Sequence, residues 1–458
     1  MLKYSWLPFL FFCIQLSACS ETKVDTSILS LESMTVDALR KEDYTSRLQV
    51  IEEITSEGYQ EFHSKDGSKA YKTYMGSYKS DELTLYTRID IPVTPMPEGG
   101  YPVVIFAHGY VGIEAAPLYK FGYEPKSYYG AYIDRFVDAG FVVLTPGYRG
   151  HGTVKGKPAG GIEFMRDWDN GSYLSPIFYA KDVLNLLGGV HTMKAAFSEY
   201  QDLDIDLKNI NLTAHSQGGD AALVALAIQA DGSSMGNNFR KASIWSGTFP
   251  SRFTQAETYA PMQNSPQAFL SGDGSWTGSA VGVNGSINQD FIFAYPSEWI
   301  GTLIYKDWTW QRDTYDRLTV AESVREKYEE MYAALNAGVD TIKSADFSIE
   351  KNTDGKTIYA HDSQIADAMD NIGAFHRHDL INVPLFLHYP DRDFYSIPKW
   401  NESLCKRINK GGGQCVGYQY GGNTHSMKLS KHKWFSPEGS REGFDIMIAR
   451  DIEKFKSN

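Results

Sequence analysis

The sequence predicts an α/β fold with a mostly parallel central sheet of about eight strands flanked by helices. Short, almost continuously apolar runs recur along the chain, as expected of strands that are covered on both faces. They alternate with segments of helical apolar spacing, such as residues 128–139, which end at Gly140. The strand, helix and strand predicted at 101–107, 128–139 and 141–146 form a βαβ unit, so this part of the sheet is parallel.

The first forty residues are predicted to lie outside this fold. Residues 1–19 have a charged start at Lys3, a short apolar core and the closing sequence Leu16-Ser17-Ala18-Cys19, which indicates an export signal too short to span a membrane. The closing sequence resembles a bacterial lipoprotein box. That resemblance implies a lipid on Cys19 and anchoring to the outer membrane of a bacterial cell envelope, facing the periplasm or the exterior; an ordinary cleaved signal is the alternative. Residues 20–40 are predicted to be a polar tether.

Residues 41–250 are predicted to form the first part of the α/β core. Alternating segments within 48–59 and 72–92 indicate antiparallel edge strands with one wet face. The first central strand follows at 101–107, and helices at 128–139 and 179–187 flank the next one at 141–146. After the strand at 241–247 the regular alternation of strand and helix stops.

A strand at 209–215 leads through small residues directly into a helix, with Ser216 at the apex of the turn. Such a tight turn strains the backbone of the serine and needs Gly218 and Gly219 where helix and strand pass close. This arrangement is the nucleophile elbow, with Ala214 in place of the first glycine of G-x-S-x-G. A serine N-cap on an ordinary helix is the alternative interpretation.

The strand at 101–107 ends in His108-Gly109-Tyr110. In an acyl-transfer enzyme of this layout, the loop after that strand supplies one backbone N–H of the oxyanion hole, and the residue after the nucleophile supplies the other. The predicted donors are therefore Tyr110 and Gln217. A plain glycine turn would also explain the loop.

Residues 251–380 are predicted to be a folded insertion between the sixth and seventh strands, because a structureless loop of that length is improbable in a compact domain. We interpret the insertion as a lid over the site, with one clear helix at 320–336. Its many tryptophans and tyrosines suit stacking on a sugar or an aromatic acid, but a small core of the lid itself explains them more simply.

Residues 381–458 are predicted to complete the core. The strand at 383–389 precedes two candidate acids, Asp391 and Asp393, and the last strand at 415–420 leads to His425. Ser216, an aspartate and His425 thus each follow a parallel strand at its C-terminal end, where open α/β sheets bind ligands. Neither aspartate has the usual spacing from His388, and we favour Asp393 over Asp391.

The order Ser216, Asp393, His425, with His108-Gly109 upstream, resembles the α/β-hydrolase superfamily, and within it secreted hydrolases of the prolyl-oligopeptidase-like or acyl-esterase type. The resemblance runs from about Gln49 to the C-terminus and implies that fold and a serine hydrolase. Tyr389 replaces the glycine usual after the strand histidine. In the implied mechanism, His425 activates Ser216, and Asp393 orients His425.

These observations predict a carboxylic ester hydrolase. The second hypothesis is a serine peptidase, although only about 80 residues separate the signal from Val103, where peptidases of that type carry a propeller. The third is a non-catalytic binding protein on the same fold. No cofactor and no metal are predicted, because the His376-x-His378 pair lacks further ligands at suitable spacing.

The charge of the chain limits its possible partners, and its cysteines predict a disulfide. The formal net charge is -12 and no basic stripe is visible, which argues against nucleic acid. The predicted partner is a small-molecule or oligomeric acyl substrate, with membrane contact only through Cys19. With Cys13 in the signal and Cys19 lipidated, Cys405 and Cys415 remain, and we predict that they form a disulfide in an oxidising compartment.

Overall fold

The computed structural model describes most of the chain outside the signal and the insertion. It covers residues 30, 32–54, 71–122, 128–167, 175–229, 237–250, 347–351, 353–354, 357–361, 367, 370–391, 393, 396–429 and 438–457. The predicted signal with Cys19, and the lid helix predicted at 320–336, lie outside these residues.

The described part of the chain contains thirteen strands and eight α-helices. The strands are β1 (Gln49–Glu53), β2 (Tyr71–Ser80), β3 (Leu83–Pro92), β4 (Tyr101–Ala107), β5 (Val142–Pro146), β6 (Thr153–Val154), β7 (Lys157–Pro158), β8 (Ile205–His215), β9 (Lys241–Trp245), β10 (Phe347–Lys351), β11 (Thr357–His361), β12 (Leu385–Pro390) and β13 (Cys415–Tyr420). The α-helices are α1 (Val36–Leu39), α2 (Tyr128–Asp138), α3 (Ile162–Asp167), α4 (Ser175–Gly189), α5 (Met193–Ala196), α6 (Gln217–Gln229), α7 (Pro398–Lys410) and α8 (Gly443–Lys456).

Nine of the described strands form one sheet in the order β1-β2-β3-β5-β4-β8-β9-β12-β13. The six strands from β5 to β13 in this order are parallel, and β1, β2 and β3 extend the sheet as an antiparallel edge. The antiparallel pairing is as predicted, but the predicted wet face is wrong for β2 and β3, whose residues are buried on both faces of the sheet. The predicted α/β fold is confirmed. All six parallel strands therefore end at the same sheet edge, where their loops meet.

The strand count differs from the prediction for a local reason. The alternating segment at 72–92 contains two strands, β2 and β3, joined at Asp81 and Glu82, whose φ angles are 46° and 63°. Such left-handed turns are usually signalled by glycine or asparagine, and neither is present here. The insertion consequently lies between β9 and β12, the seventh and eighth strands of the sheet, and not between the sixth and seventh.

Apolar side chains fill both faces of the sheet. One core contains α4 and α6, and the other contains α2 and α8. Every residue of α6 is buried, which explains why this helix is apolar all round and lacks a polar face. The helix that follows Ser216 is thereby fixed in the interior of the protein.

The predicted tether ends earlier than residue 40. Met34, Val36 and Leu39 are buried, and α1 packs against α6. The hydroxyl of Thr35 caps α1 by accepting a hydrogen bond from the Ala38 N–H at 3.3 Å. Residues 32–40 therefore belong to the folded domain, because three apolar side chains in a largely polar segment suffice to anchor it.

The predicted disulfide joins Cys405 in α7 to Cys415 at the start of β13, with a Cα–Cα distance of 5.1 Å. It closes the turn between the last helix and strand before His425. None of the described helices is long and apolar enough to cross a membrane.

Candidate active site

Ser216 occupies a sharp turn between β8 and α6. Its φ is 54°, a left-handed conformation that costs a non-glycine residue roughly 1–2 kcal/mol. Two backbone hydrogen bonds hold this turn: the Ser216 N–H donates to the Trp245 carbonyl at 3.1 Å, and the Ser216 carbonyl accepts from the Gly219 N–H at 2.8 Å. The strained turn places Ser216 at the C-terminal edge of the parallel strands.

Gly218 and Gly219 let α6 start in this crowded position, as the sequence predicts. A Cβ on Gly218 would lie 2.3 Å from the His108 carbonyl oxygen, and one on Gly219 would lie 2.5 Å from Ile244 Cγ2. A side chain at Gly218 would thus displace the loop after β4. The two glycines are needed for packing around the turn.

His425 contacts both Ser216 and Asp393. Its Nε2 lies 2.9 Å from Ser216 Oγ, and its Nδ1 lies 2.8 Å from Asp393 Oδ2. Because an ionised carboxylate only accepts hydrogen bonds, Nδ1 carries the proton and Nε2 accepts from the Ser216 hydroxyl. Asp393 is fully buried, whereas 15% of the His425 side chain is exposed. The structure therefore brings these three predicted residues together from the loops after β8, β12 and β13.

The second candidate acid, Asp391, faces a different group. Its Oδ1 accepts a hydrogen bond from the Gly422 N–H at 2.7 Å, and its own N–H donates to the Tyr420 carbonyl at 3.2 Å. Asp391 thus fixes the backbone at the start of the loop that carries His425. Of the two aspartates, Asp393 is the one that contacts the imidazole.

The rest of the His425 loop is fixed to the start of α8. Asn423 accepts from the Gly443 N–H at 2.7 Å and donates to the Arg441 carbonyl at 2.9 Å. Thr424 bonds the Lys428 carbonyl through its N–H at 3.0 Å. These contacts hold the histidine loop from both sides.

The loop after β4 lies directly against Ser216. A Cβ on Gly109 would lie 2.6 Å from the Tyr129 hydroxyl oxygen and 3.1 Å from Ser216 Cβ, so glycine allows this close approach. The adjacent Tyr110 side chain is exposed, and Gln217 is buried at the start of α6. The two predicted oxyanion donors are thus on segments that flank Ser216, and their role as donors stays a prediction.

A column of buried rings supports the start of this loop. The His108 ring stacks between Tyr119 and Tyr148, with centroid distances of 4.1 and 4.2 Å, and the Tyr148 hydroxyl donates to the His108 carbonyl at 2.9 Å. Burial lowers the pKa of His108 well below its usual value. His108 is therefore a neutral packing residue beside the site.

Sequence reasoning assigned no role to Tyr129 and His215. The structure places the Tyr129 hydroxyl 2.9 Å from the Gly109 N and 2.6 Å from His215 Nδ1. The position of His215 directly before Ser216 was the only sequence signal, and Tyr129 lies in α2 without any motif.

His151, in the glycine-rich loop after β5, is a buried structural residue. Its Nδ1 lies 3.0 Å from the Arg149 carbonyl oxygen, and its ring meets Tyr148 and Tyr179 edge-on. Burial lowers the pKa of His151 to about 4. The folded protein therefore holds this imidazole neutral.

We expect His151 to make the protein less stable in acid. Between pH 6.5 and 4 the unfolded chain binds a proton on this residue and the folded chain does not, so the free energy of unfolding falls as pH falls, by on the order of 3 kcal/mol at most. His151→Asn keeps an N–H donor for the Arg149 carbonyl and removes the titration. Urea unfolding at several pH values measures the difference between variant and wild type, which cancels the other titrating groups.

Exposed His191 supplies the control for that experiment. His191→Asn makes the same substitution at an exposed position, so comparing the two variants separates the effect of the buried site from the general effect of replacing a histidine. If the free energy of unfolding of His151→Asn falls with pH as much as that of the wild type, the folded protein binds a proton on His151 in the same pH range as the unfolded chain, and the prediction is wrong.

Neither a known protein-family model nor a curated protein sequence matches the chain. Among solved structures, Pyrococcus horikoshii acylaminoacyl peptidase is similar over 85% of this chain and 42% of its own, at 14% identity and a TM-score of 0.42. The acetyl xylan esterase from Paenibacillus sp. R4 is similar over 92% of both chains, at 12% identity and a TM-score of 0.42. Est1E from Butyrivibrio proteoclasticus is similar over 82% of this chain and 95% of its own, at 13% identity and a TM-score of 0.37.

The chain spans less than half of the length of the acylaminoacyl peptidase. What the site can do chemically depends on the geometry of its own residues: a hydroxyl, an imidazole and a buried carboxylate in one hydrogen-bonded line.

Proposed function

We propose that this chain, whose sheet order and strained serine turn are those of the α/β-hydrolase fold, is a serine hydrolase that cleaves carboxylic esters through an acyl-enzyme on Ser216. The observation that carries the proposal is the contact of His425 with both Ser216 and Asp393, at 2.9 and 2.8 Å. An imidazole between a hydroxyl and a buried carboxylate is the arrangement that activates a serine.

In the proposed first step, Ser216 Oγ attacks the ester carbonyl carbon while His425 Nε2 takes the hydroxyl proton. Asp393 holds the imidazole in the tautomer whose Nε2 is free to accept, and it stabilises the imidazolium that forms. The carbonyl oxygen becomes negative and binds the backbone N–H groups of Tyr110 and Gln217, each worth about 3 kcal/mol. His425 then returns the proton to the departing alcohol.

In the second step, water replaces the alcohol. His425 takes a proton from the water, whose oxygen attacks the acyl carbon, and the same donors bind the second oxyanion. Collapse of this intermediate releases the carboxylic acid and restores the Ser216 hydroxyl. One imidazole serves both steps because the water attacks the acyl carbon from the side on which the alcohol left.

The described residues before the first central strand are part of the hydrolase domain. Strands β1 to β3 join the hydrolase sheet, and α1 packs against α6. These described residues therefore extend the catalytic domain itself. We further propose a small-molecule or oligomeric acyl substrate, and no nucleic-acid partner.

We also propose that the chain is exported and anchored to the bacterial outer membrane by a lipid on Cys19, facing the periplasm or the exterior. The disulfide between Cys405 and Cys415 supports an oxidising compartment. The signal-like residues 1–19 support export.

Two chromogenic substrate classes test the proposed function. The full-length chain, in mild detergent, should hydrolyse p-nitrophenyl esters and leave aminoacyl p-nitroanilides intact, and a fluorophosphonate probe should label Ser216, as located by peptide mass spectrometry. Turnover of the anilides would favour a serine peptidase. A chain that neither hydrolyses the esters nor takes the label would favour a non-catalytic binding protein on this fold.

A further inference from the structure

We infer that Tyr129 and His215 are positioning residues, which form a hydrogen-bonded bridge between the loop after β4 and the loop that carries His425. We call these two side chains the Tyr129–His215 bridge. The inference rests on the proposed function and deepens it, because the two loops joined are those assigned to oxyanion binding and to proton transfer.

Three hydrogen bonds form the connection. The Gly109 N–H donates to the Tyr129 hydroxyl at 2.9 Å, and that hydroxyl lies 2.6 Å from His215 Nδ1. At the other side of the ring, His215 Nε2 lies 3.1 Å from the backbone carbonyl oxygen of His425. The path thus leads from the residue beside Tyr110 to the backbone of His425.

The direction of each hydrogen bond follows from the donors and acceptors present. A carbonyl oxygen only accepts, so His215 Nε2 carries the proton and Nδ1 is an acceptor in the neutral ring. The Tyr129 hydroxyl consequently donates to Nδ1 and uses a lone pair to accept from the Gly109 N–H. Burial and the neighbouring His425 lower the pKa of His215 well below its usual value, which keeps the ring in this neutral form.

Packing fixes both side chains of the bridge. Only 2% of His215 is exposed, and its ring lies over Trp245 at a centroid distance of 3.8 Å. The Tyr129 ring meets Phe106 and Trp245 edge-on, at 5.1 and 6.3 Å. Neither ring can leave the bridge without repacking the core between α2 and the sheet.

The bridge matters for catalysis because two groups must be correctly spaced around one tetrahedral carbon. His425 must reach Ser216 Oγ while the loop donor reaches the oxyanion, and a displacement of even 0.5–1 Å in either group weakens that fit. The bridge couples the backbones of both loops behind Ser216. It therefore acts on the transition state, where the oxyanion exists, more than on substrate binding.

Tyr129→Phe removes the hydroxyl and keeps the ring. We expect kcat for p-nitrophenyl acetate to fall about tenfold, a fraction of the 10²–10³-fold loss typical of deleting a whole oxyanion donor, with KM within about twofold of the wild type. The rate of fluorophosphonate labelling should fall by a similar factor, because phosphonylation of Ser216 also places an oxygen in the oxyanion hole.

Tyr132→Phe is the matched control. Tyr132 lies one helical turn further along α2, is fully buried, and pairs its hydroxyl with Thr213 Oγ1 on β8, two residues before His215. Its hydroxyl thus ties the same helix to the same strand, away from Gly109 and His425. We expect the stability of this variant to fall at least as much as that of Tyr129→Phe, with kcat and the labelling rate within about twofold of the wild type.

Equal kcat values in the two variants, or a rise in KM with kcat unchanged, would overturn the bridge. A second pair of variants tests its other end: His215→Gln keeps one acceptor and one donor in the side chain and should retain more kcat than His215→Ala at equal KM. Equal losses in that pair would also count against the bridge. A wild-type chain that takes no label would instead overturn the proposed function, and the bridge with it.

Discussion

Ser216→Ala is expected to lower kcat for ester hydrolysis about a millionfold, the loss typical of removing the nucleophile from a serine triad. Without Oγ no acyl-enzyme forms, and His425 and Asp393 have no hydroxyl to activate. The fold should survive, because alanine removes a single half-buried hydroxyl and keeps the Cβ that the turn already accommodates at φ 54°. Turnover of p-nitrophenyl acetate measures the effect, and thermal unfolding verifies the fold.

Ser246 offers a close control for this variant. It follows β9 at the same sheet edge, has a φ of 53° and is buried, but its N–H donates to the His388 carbonyl and it lies outside the proposed triad. Ser246→Ala makes the same chemical change in the same backbone conformation, and it should keep turnover within a few-fold of the wild type. Wild-type turnover in Ser216→Ala would remove the basis for the enzyme assignment.

The parts of the fold that sequence reasoning predicted are encoded in local patterns. Buried parallel strands such as β4 and β5 have continuous apolar runs, and α6 follows the small residues that a sharp turn requires. Gly218 and Gly219 are in the sequence because backbone and side-chain atoms of neighbouring strands leave no room for a Cβ. Steric restrictions of this kind can be predicted from the sequence because they require glycine at a particular position.

Features that depend on contacts between residues far apart in the chain could not be predicted from residue type. The turn at Asp81 and Glu82 adopts left-handed angles without glycine, and the short α1 is held by packing on α6. Tyr129 and His215 are separated by 86 residues, and His215 and His425 by 210. No periodicity or spacing encodes a hydrogen bond across such separations, so the bridge emerges only from the fold.

The choice between Asp391 and Asp393 depends partly on local sequence and partly on contacts between distant residues. The sequence predicted an acid after β12, because a carboxylate there lies at the edge where Ser216 and His425 also lie. Which acid reaches His425 depends on the fold of the loop: Asp391 accepts a hydrogen bond from the Gly422 N–H, whereas Asp393 contacts the imidazole. Asp391 thereby becomes a loop anchor and leaves Asp393 to meet the imidazole.

Asp393→Asn is expected to lower kcat about 10⁴-fold, the loss typical when an amide replaces the triad carboxylate. Asp393 Oδ2 now accepts the proton on His425 Nδ1 at 2.8 Å from a fully buried position. An amide that donates to Nδ1 would move the ring proton to Nε2, so His425 could no longer accept the proton of Ser216. The imidazolium formed during attack would also lose its countercharge. Steady-state kinetics with p-nitrophenyl acetate measures the loss.

Asp391→Asn is the control that separates the two acids. An asparagine keeps the Oδ1 that accepts from the Gly422 N–H, so the loop should stay in place and kcat should remain within about tenfold of the wild type. The two variants make the same chemical change two residues apart in one loop, which removes general effects of lost charge. If Asp391→Asn instead caused the large loss and Asp393→Asn the small one, the loop would have to rearrange in solution so that Asp391 orients His425.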